Sequence, residues 1–306
     1  FLTEHQEEIR TNVMKVVETS RAEFMALTGA AGTGKTLLTY DIAKELRNKG
    51  KRVLIVHCAQ LNSGQRMLQD EYGWDICMAK AIGNEVLKGY NVIIVDEAQR
   101  ARQTQFDKLI ESANQENMTC IFSYDEKQYL SNDEKNRNMS NQILRVLTQD
   151  IFKLTTKIRT NKEIASFIKP LFDIHEKINC SEHSNIDLHY CSTKEDVIIL
   201  SVHLQRKDWK VPRYTPGTRS IFRYQGYGIG NEESAHAVIG QEFDKVVAII
   251  DETFRYNENG ILVADNSCYS QRQMLYQILT RTRQKLCVII LNNEPILKRC
   301  LEILKR

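Results

Sequence analysis

No stretch of this 306-residue sequence stays apolar for long; residues 246–250 and 286–291 are typical of its longest runs. A membrane-spanning helix needs ~18–20 such residues, so no transmembrane segment and no membrane partner are expected. The opening Phe1-Leu2-Thr3-Glu4 lacks a basic-then-apolar leader, so no signal peptide is expected either. It also lacks an initial Met, which suggests a fragment and leaves room for a fused or associated effector domain outside it. Charge of one sign is scarce: 42 basic against 39 acidic residues leave a formal +3. A nucleic-acid partner would therefore have to be met by a local basic surface. Among eight cysteines there is no C-x-x-C pair. Cys120 and Cys287 sit in apolar runs, where Cys acts as a small hydrophobe, and a reducing, cytoplasmic setting is expected. Cys180, His183, His189 and Cys191 lie close together, but in no common zinc-finger spacing. They read as part of a polar loop, with zinc as the alternative. Internal repeats and low-complexity runs are absent.

What is present is the balance of a globular protein, 42% hydrophobic and 26% charged, in a length that fits two domains. Apolar runs at 23–28, 53–58, 91–96 and 119–124 read as strands, separated by helical patterns at 34–47 and 102–116. Near-continuous apolar strands between helices predict a parallel sheet covered on both faces. Residues 131–140 read as a polar surface loop, followed by a short helix at 141–147. A second half is expected to begin near Phe152, with helices at 161–171 and 269–280 and strands at 218–223, 243–251 and 286–291. Residues 179–217 show no clear period. The expectation is an α/β chain of two parallel-sheet domains, 1–150 and 151–306.

The segment Gly29-Ala30-Ala31-Gly32-Thr33-Gly34-Lys35-Thr36 satisfies G-x-x-x-x-G-K-[ST] at every required position. Its glycines let backbone N–H groups curl around a phosphate, and the helix that follows presents its positive end. Lys35 can reach the β- and γ-phosphates, and the Thr36 hydroxyl can ligate Mg²⁺. The motif lies between an expected strand and an expected helix, as this chemistry requires. Asp96 and Glu97 follow the strand 91–96, at the end where parallel sheets bind ligands. Asp96 is the candidate for holding Mg²⁺, and Glu97 for positioning or deprotonating the attacking water.

Around this pair the chain resembles superfamily 1 helicases. Val92-Ile93-Ile94-Val95-Asp96-Glu97-Ala98-Gln99 is similar to their D-E-A-Q Walker B motif. Phe122-Ser123-Tyr124-Asp125-Glu126-Lys127-Gln128 resembles the motif whose glutamine senses the γ-phosphate. Leu154-Thr155-Thr156-Lys157-Ile158-Arg159-Thr160 resembles L-x-x-N-Y-R-S at the opening of the second domain. The segment 234–246, with His236, Gly240, Glu242, Phe243 and Asp244, is similar to H-x-x-Q-G-x-E-F-D-x-V. Tyr276-Gln277-Ile278-Leu279-Thr280-Arg281-Thr282-Arg283 resembles Y-V-A-L-T-R-A-R. Leu2-Thr3-Glu4-His5-Gln6 is similar to the glutamine motif that reads adenine.

The compact build most resembles the Schlafen-like group. The resemblance implies two RecA-like domains with a nucleotide cleft between them, and ATP and Mg²⁺ as cofactors. By the same resemblance Gln128, Arg159 and Arg281 are expected to join Lys35 and Glu97 in catalysis, with Arg283 a further arginine at the nucleotide and Glu242 near the ribose. Ile158 stands where the family has a Tyr that stacks on adenine, and Ile239 replaces a Gln.

The leading expectation is an ATP-dependent translocase or helicase moving on single-stranded DNA or RNA. The alternative is a regulatory ATPase switch that gates a fused or bound effector without translocation. A small-molecule kinase would leave Gln128 and Arg281 unexplained. Two segments offer a nucleic-acid track. The first holds Gln60, Asn62, Ser63, Gln65 and Arg66; the second holds Arg206, Lys207, Trp209, Lys210, Arg213 and Tyr214, or is an ordinary surface loop.

Overall fold

The computed structural model describes residues 2–18, 23–30, 32–126, 128–129, 131–155, 161–178, 183–215, 234–235, 238, 241–264 and 270–305. The chain divides into two compact units: one holds residues 1–129 and 133–158, the other 130–132 and 159–306.

The first unit runs α1 (Glu4–Val17), β1 (Phe24–Gly29), α2 (Lys35–Asn48), β2 (Val53–His57), α3 (Ser63–Tyr72), β3 (Asp75–Met78) and α4 (Asn84–Leu87). It continues β4 (Val92–Asp96), α5 (Gln103–Gln115), β5 (Thr119–Tyr124), α6 (Asn132–Arg137), α7 (Met139–Val146) and β6 (Ile151–Leu154). All six strands pair in parallel, in the order β3-β2-β4-β5-β1-β6. Alternate residues of each strand serve opposite faces, so strands covered on both sides must be apolar throughout. Met25, Leu27, Ile55, Ile94 and Ile121 pack with Ile9 and Val13 of α1 and Leu38, Ile42 and Leu46 of α2. Their neighbours Ala26, Val56, Ile93, Val95 and Phe122 pack on the other face with Phe106 and Leu109 of α5 and Met139 and Ile143 of α7.

The second unit comprises α8 (Lys162–Phe172), β7 (Ile186–Cys191), α9 (Lys194–Gln205), β8 (Phe243–Ile250), β9 (Phe254–Tyr256), β10 (Leu262–Ala264), α10 (Gln271–Leu279), β11 (Thr282–Leu291) and α11 (Glu294–Leu304). Its sheet is parallel, in the order β7-β11-β8, beside a two-stranded antiparallel β9–β10 hairpin. The central strand β11 is buried from Leu286 to Leu291. No helix among the described residues is long and apolar enough to cross a membrane.

Several expectations change. Residues 151–154, read as the start of a second domain, form β6 and pair with β1 in the first sheet, so the first unit extends past residue 150. β6 is only four residues long, with an exposed Ile151 and a buried Leu154, too short a run to announce itself as a strand of the first sheet. The segment read as a polar loop holds α6, whose Glu134 is buried against Arg100 rather than solvated. In the aperiodic stretch, β7 is half exposed at the sheet edge, and α9 buries only Val197, Ser201 and Leu204 while Ile199 faces outward. The strand read at 218–223 lies outside the described residues.

The proposed aromatic track is also corrected. Trp209 and Tyr214 are core residues, and the Tyr214 hydroxyl donates to the Ile249 carbonyl at 2.7 Å. Tyr214→Phe should therefore cost about 1–3 kcal/mol, the expense of a buried carbonyl losing its donor. Chemical denaturation should show a lower midpoint; an unchanged midpoint would contradict this placement.

Candidate active site

The strand β1 ends at Gly29, and the chain then turns sharply into α2. Gly32 and Gly34 adopt φ values of 81° and 85°, the left-handed region that disfavours side chains. Gly29 is constrained differently: a Cβ there would lie 2.6 Å from Thr33 Oγ1 and 2.8 Å from the Leu154 carbonyl oxygen. Within the loop, the Thr33 hydroxyl donates to the Ala30 carbonyl at 2.9 Å. Lys35, at the first turn of α2, is 8% exposed and folds its ammonium back on the loop. It donates to the carbonyls of Gly29 at 2.8 Å and Ala30 at 3.2 Å, and lies 3.9 Å from Asp125 Oδ2. Ala31 lies outside the described residues.

The carboxylates come from neighbouring strands. Asp96 closes β4, and its Oδ2 accepts from the Thr36 hydroxyl at 3.4 Å. Glu97 follows in a left-handed conformation, φ 57°. Its Oε2 accepts from Gln99 Nε2 at 2.8 Å and from Arg100 Nε at 3.3 Å. Arg100 also reaches Glu134 Oε2 at 3.2 Å. Asp125 follows β5, its N–H donating to Gln99 Oε1 at 3.3 Å, and Gln128 is buried one turn on.

Asp125 is buried beside Lys35, Glu97 and Glu134 beside Arg100, and Asp96 beside the Thr36 hydroxyl and the His57 ring, so that among these described side chains four carboxylates face one ammonium and one guanidinium. That excess, with a hydroxyl beside a carboxylate, fits a hard divalent cation that takes its remaining oxygens from phosphate and water. The negative charge is felt nearby. Burial first, and Asp96 second, push the Tyr40 phenol above its ordinary range; burial, Asp96 and Glu97 do the same to the Cys58 thiol.

Other expected residues are placed as follows. Gln6 is 1% exposed and completes the capping box of α1, taking the Thr3 N–H at 3.0 Å. Its amide donates to the Thr33 carbonyl at 3.2 Å, so it is tied to the phosphate loop itself. In the second unit, Arg281 is buried after α10 and donates to the carbonyls of Gln277 and Gln241, at 3.3 and 3.4 Å. Arg283 is exposed and pairs with Asp244 at 2.6 Å, while Glu242 is half-buried just before β8. Arg159, Ile158, His236, Ile239 and Gly240 lie outside the described residues. Of the first track, Asn62 and Gln65 form the capping box of α3, leaving Gln60, Ser63 and Arg66 exposed.

Sequence reasoning gave no role to His57, Gln99, Arg100 or Glu134. Gln99 stood within the D-E-A-Q segment, and His57 ends an apolar strand; these were the available signals. Arg100 and Glu134 meet only in the folded chain.

Residues 2–171, more than half of the chain, match a family model described as an AAA domain. The chain belongs to that family. A search of curated proteins returned no match. Among solved structures, this AAA-domain chain resembles a Pif1 helicase from a study of DNA unwinding at forked dsDNA. The TM-score is 0.51 at 13% identity, over 94% of this chain and 92% of that one. It also resembles the Pif1 helicase of Candida albicans, with a TM-score of 0.51 at 14% identity, over 97% and 98% of the two chains. At such identities the likeness is one of fold, seen here in the two parallel α/β sheets. With its phosphate loop and acidic strand ends, the AAA-domain chain is an ATP hydrolase.

Gly29→Ala tests the loop's packing. The added methyl meets a hydroxyl and a backbone carbonyl, so about 1–3 kcal/mol of stability should be lost together with nucleotide binding. Calorimetric titration and thermal melting check this; unchanged binding would show that the loop tolerates a Cβ.

Proposed function

We propose that this AAA-domain chain is a nucleic-acid-dependent ATPase, a superfamily 1 motor that moves on single-stranded DNA or RNA. The observation that carries it is the convergence of Lys35, Thr36, Asp96 and Glu97 at one edge of the first sheet. In this reading Lys35 exchanges its loop carbonyls for the β- and γ-phosphate oxygens. Thr36 and Asp96 hold the magnesium ion, which when bound supplies charge neutralisation to the phosphates. Glu97 accepts the proton of the attacking water, with Gln99 and Arg100 fixing its orientation. Gln128, adjoining Asp125, reports the γ-phosphate.

Arg281, with Arg159, is proposed as the arginine donated by the second unit, a contribution that reaches ~10³–10⁵ in rate elsewhere. Glu242, Arg283 and Gln6 are assigned to the nucleotide's ribose, phosphates and base. Membership of the compact Schlafen-like group rests on the sequence motifs. A reducing, cytoplasmic setting is proposed on the cysteine pattern of the sequence.

One observation favours the second reading, a regulatory ATPase switch acting on a fused or bound effector. Trp209 and Tyr214, the aromatics suggested for strand stacking, are core residues. The strand would then rely on exposed polar and basic groups such as Gln60, Ser63 and Arg66.

ATP hydrolysis measured with and without single-stranded DNA or RNA at low salt separates the two readings. Stimulation that fades as salt rises is expected, because phosphate contacts release counterions. Turnover indifferent to both polymers, with no binding, would support the switch instead. Lys35→Ala should abolish turnover under either reading.

A further inference from the structure

We propose that His57 is a positioning residue for Asp96, holding the carboxylate that the proposed function gives to magnesium. The inference rests on that reading of Asp96. His57 closes β2 and stands directly across the parallel ladder from Asp96. The four residues before it, Val53, Leu54, Ile55 and Val56, are the apolar ones a doubly covered strand requires. An imidazole at the next position breaks that pattern at the strand end where the ligand is expected.

The ring is fully buried, and its Nδ1 lies 3.2 Å from Asp96 Oδ2, the oxygen that also faces the Thr36 hydroxyl. Among the described residues, neither ring nitrogen makes a directed hydrogen bond. The Asp96 contact is close but not aligned. Buried polar groups without partners are costly and rare in native folds, so this one calls for a partner. The carboxylate beside it is that partner once a small rotation brings Nδ1–H into line. Asp96 would then be gripped on one side by a hydroxyl from the loop helix and on the other by an imidazole from β2. Partners of this kind fix the rotation of a ligating carboxylate, and removing them typically weakens metal affinity ~10–100-fold.

Two substitutions of similar polarity distinguish the nitrogens. His57→Asn places an amide N–H near the position of Nδ1, whereas His57→Gln places it near that of Nε2. The measurement is the binding of a fluorescent ADP analogue, titrated with magnesium chloride and repeated in EDTA. His57→Gln should raise the magnesium concentration for half-maximal enhancement ~10–100-fold. His57→Asn should stay near the parent, and both should bind the analogue like the parent in EDTA. Equal magnesium requirements in all three proteins would overturn the proposal. An equal rise in both variants would also overturn it, since it would mark a merely structural histidine. A parent whose ADP binding ignores magnesium would instead remove the reading of Asp96 on which the proposal rests.

Discussion

Asp96 and Glu97 leave β4, and Asp125 leaves β5, at the same edge of the first sheet, each buried where an unbalanced charge is expensive. The surrounding structure can be understood as the response to that charge. Lys35 comes from the loop side, close to Asp125. Arg100 comes from the turn after Glu97 and is shared with Glu134 of α6. Gln99 spans the two strand ends, donating to Glu97 and accepting from the Asp125 N–H. Breaking one partner of such a buried set leaves a stranded charge, which is more costly than never having built it. Among the described side chains of this network carboxylates outnumber the Lys35 and Arg100 cations, and the proposed magnesium ion would answer that charge.

The fold supplies the convergence by ordinary means. Parallel strands all end on one side, and the loop from β1 to α2 lies on that side too. Alternate strand residues feed two separate apolar layers, one under α1 and α2 and the other under α5 and α7. The polar strand ends are thus carried on a rigid platform. Gln6 adds a tie from α1 to the Thr33 carbonyl, so the N-terminal helix is linked to the loop as well as to the core.

Much of this was legible in the sequence wherever residue type and local order decide the outcome. The phosphate loop, β4 and β5 were readable because their residue types leave few alternatives. What could not be read depends on distant partners. Glu134 looked like one more charge in a polar loop, since only folding brings it to Arg100. The strand β6 is only four residues long, and its pairing with the distant β1 is settled only on folding. Trp209 and Tyr214 sit among basic residues in sequence, yet their rings turn into the core of the second unit. Composition could suggest a stacking surface there, but only burial could refuse it.

The AAA-domain match covers residues 2–171, the part of the chain that holds the phosphate loop and the acidic strand ends. The central claim is that Glu97 activates water for ATP hydrolysis at this edge. Glu97→Gln keeps the size and the hydrogen-bonding capacity of the side chain while removing its basicity. Measured side by side, ATP affinity should stay near that of the parent and turnover should fall ~10²–10⁴-fold. A variant that hydrolyses ATP at the parental rate would contradict the account, because the proton would then have to leave by another group.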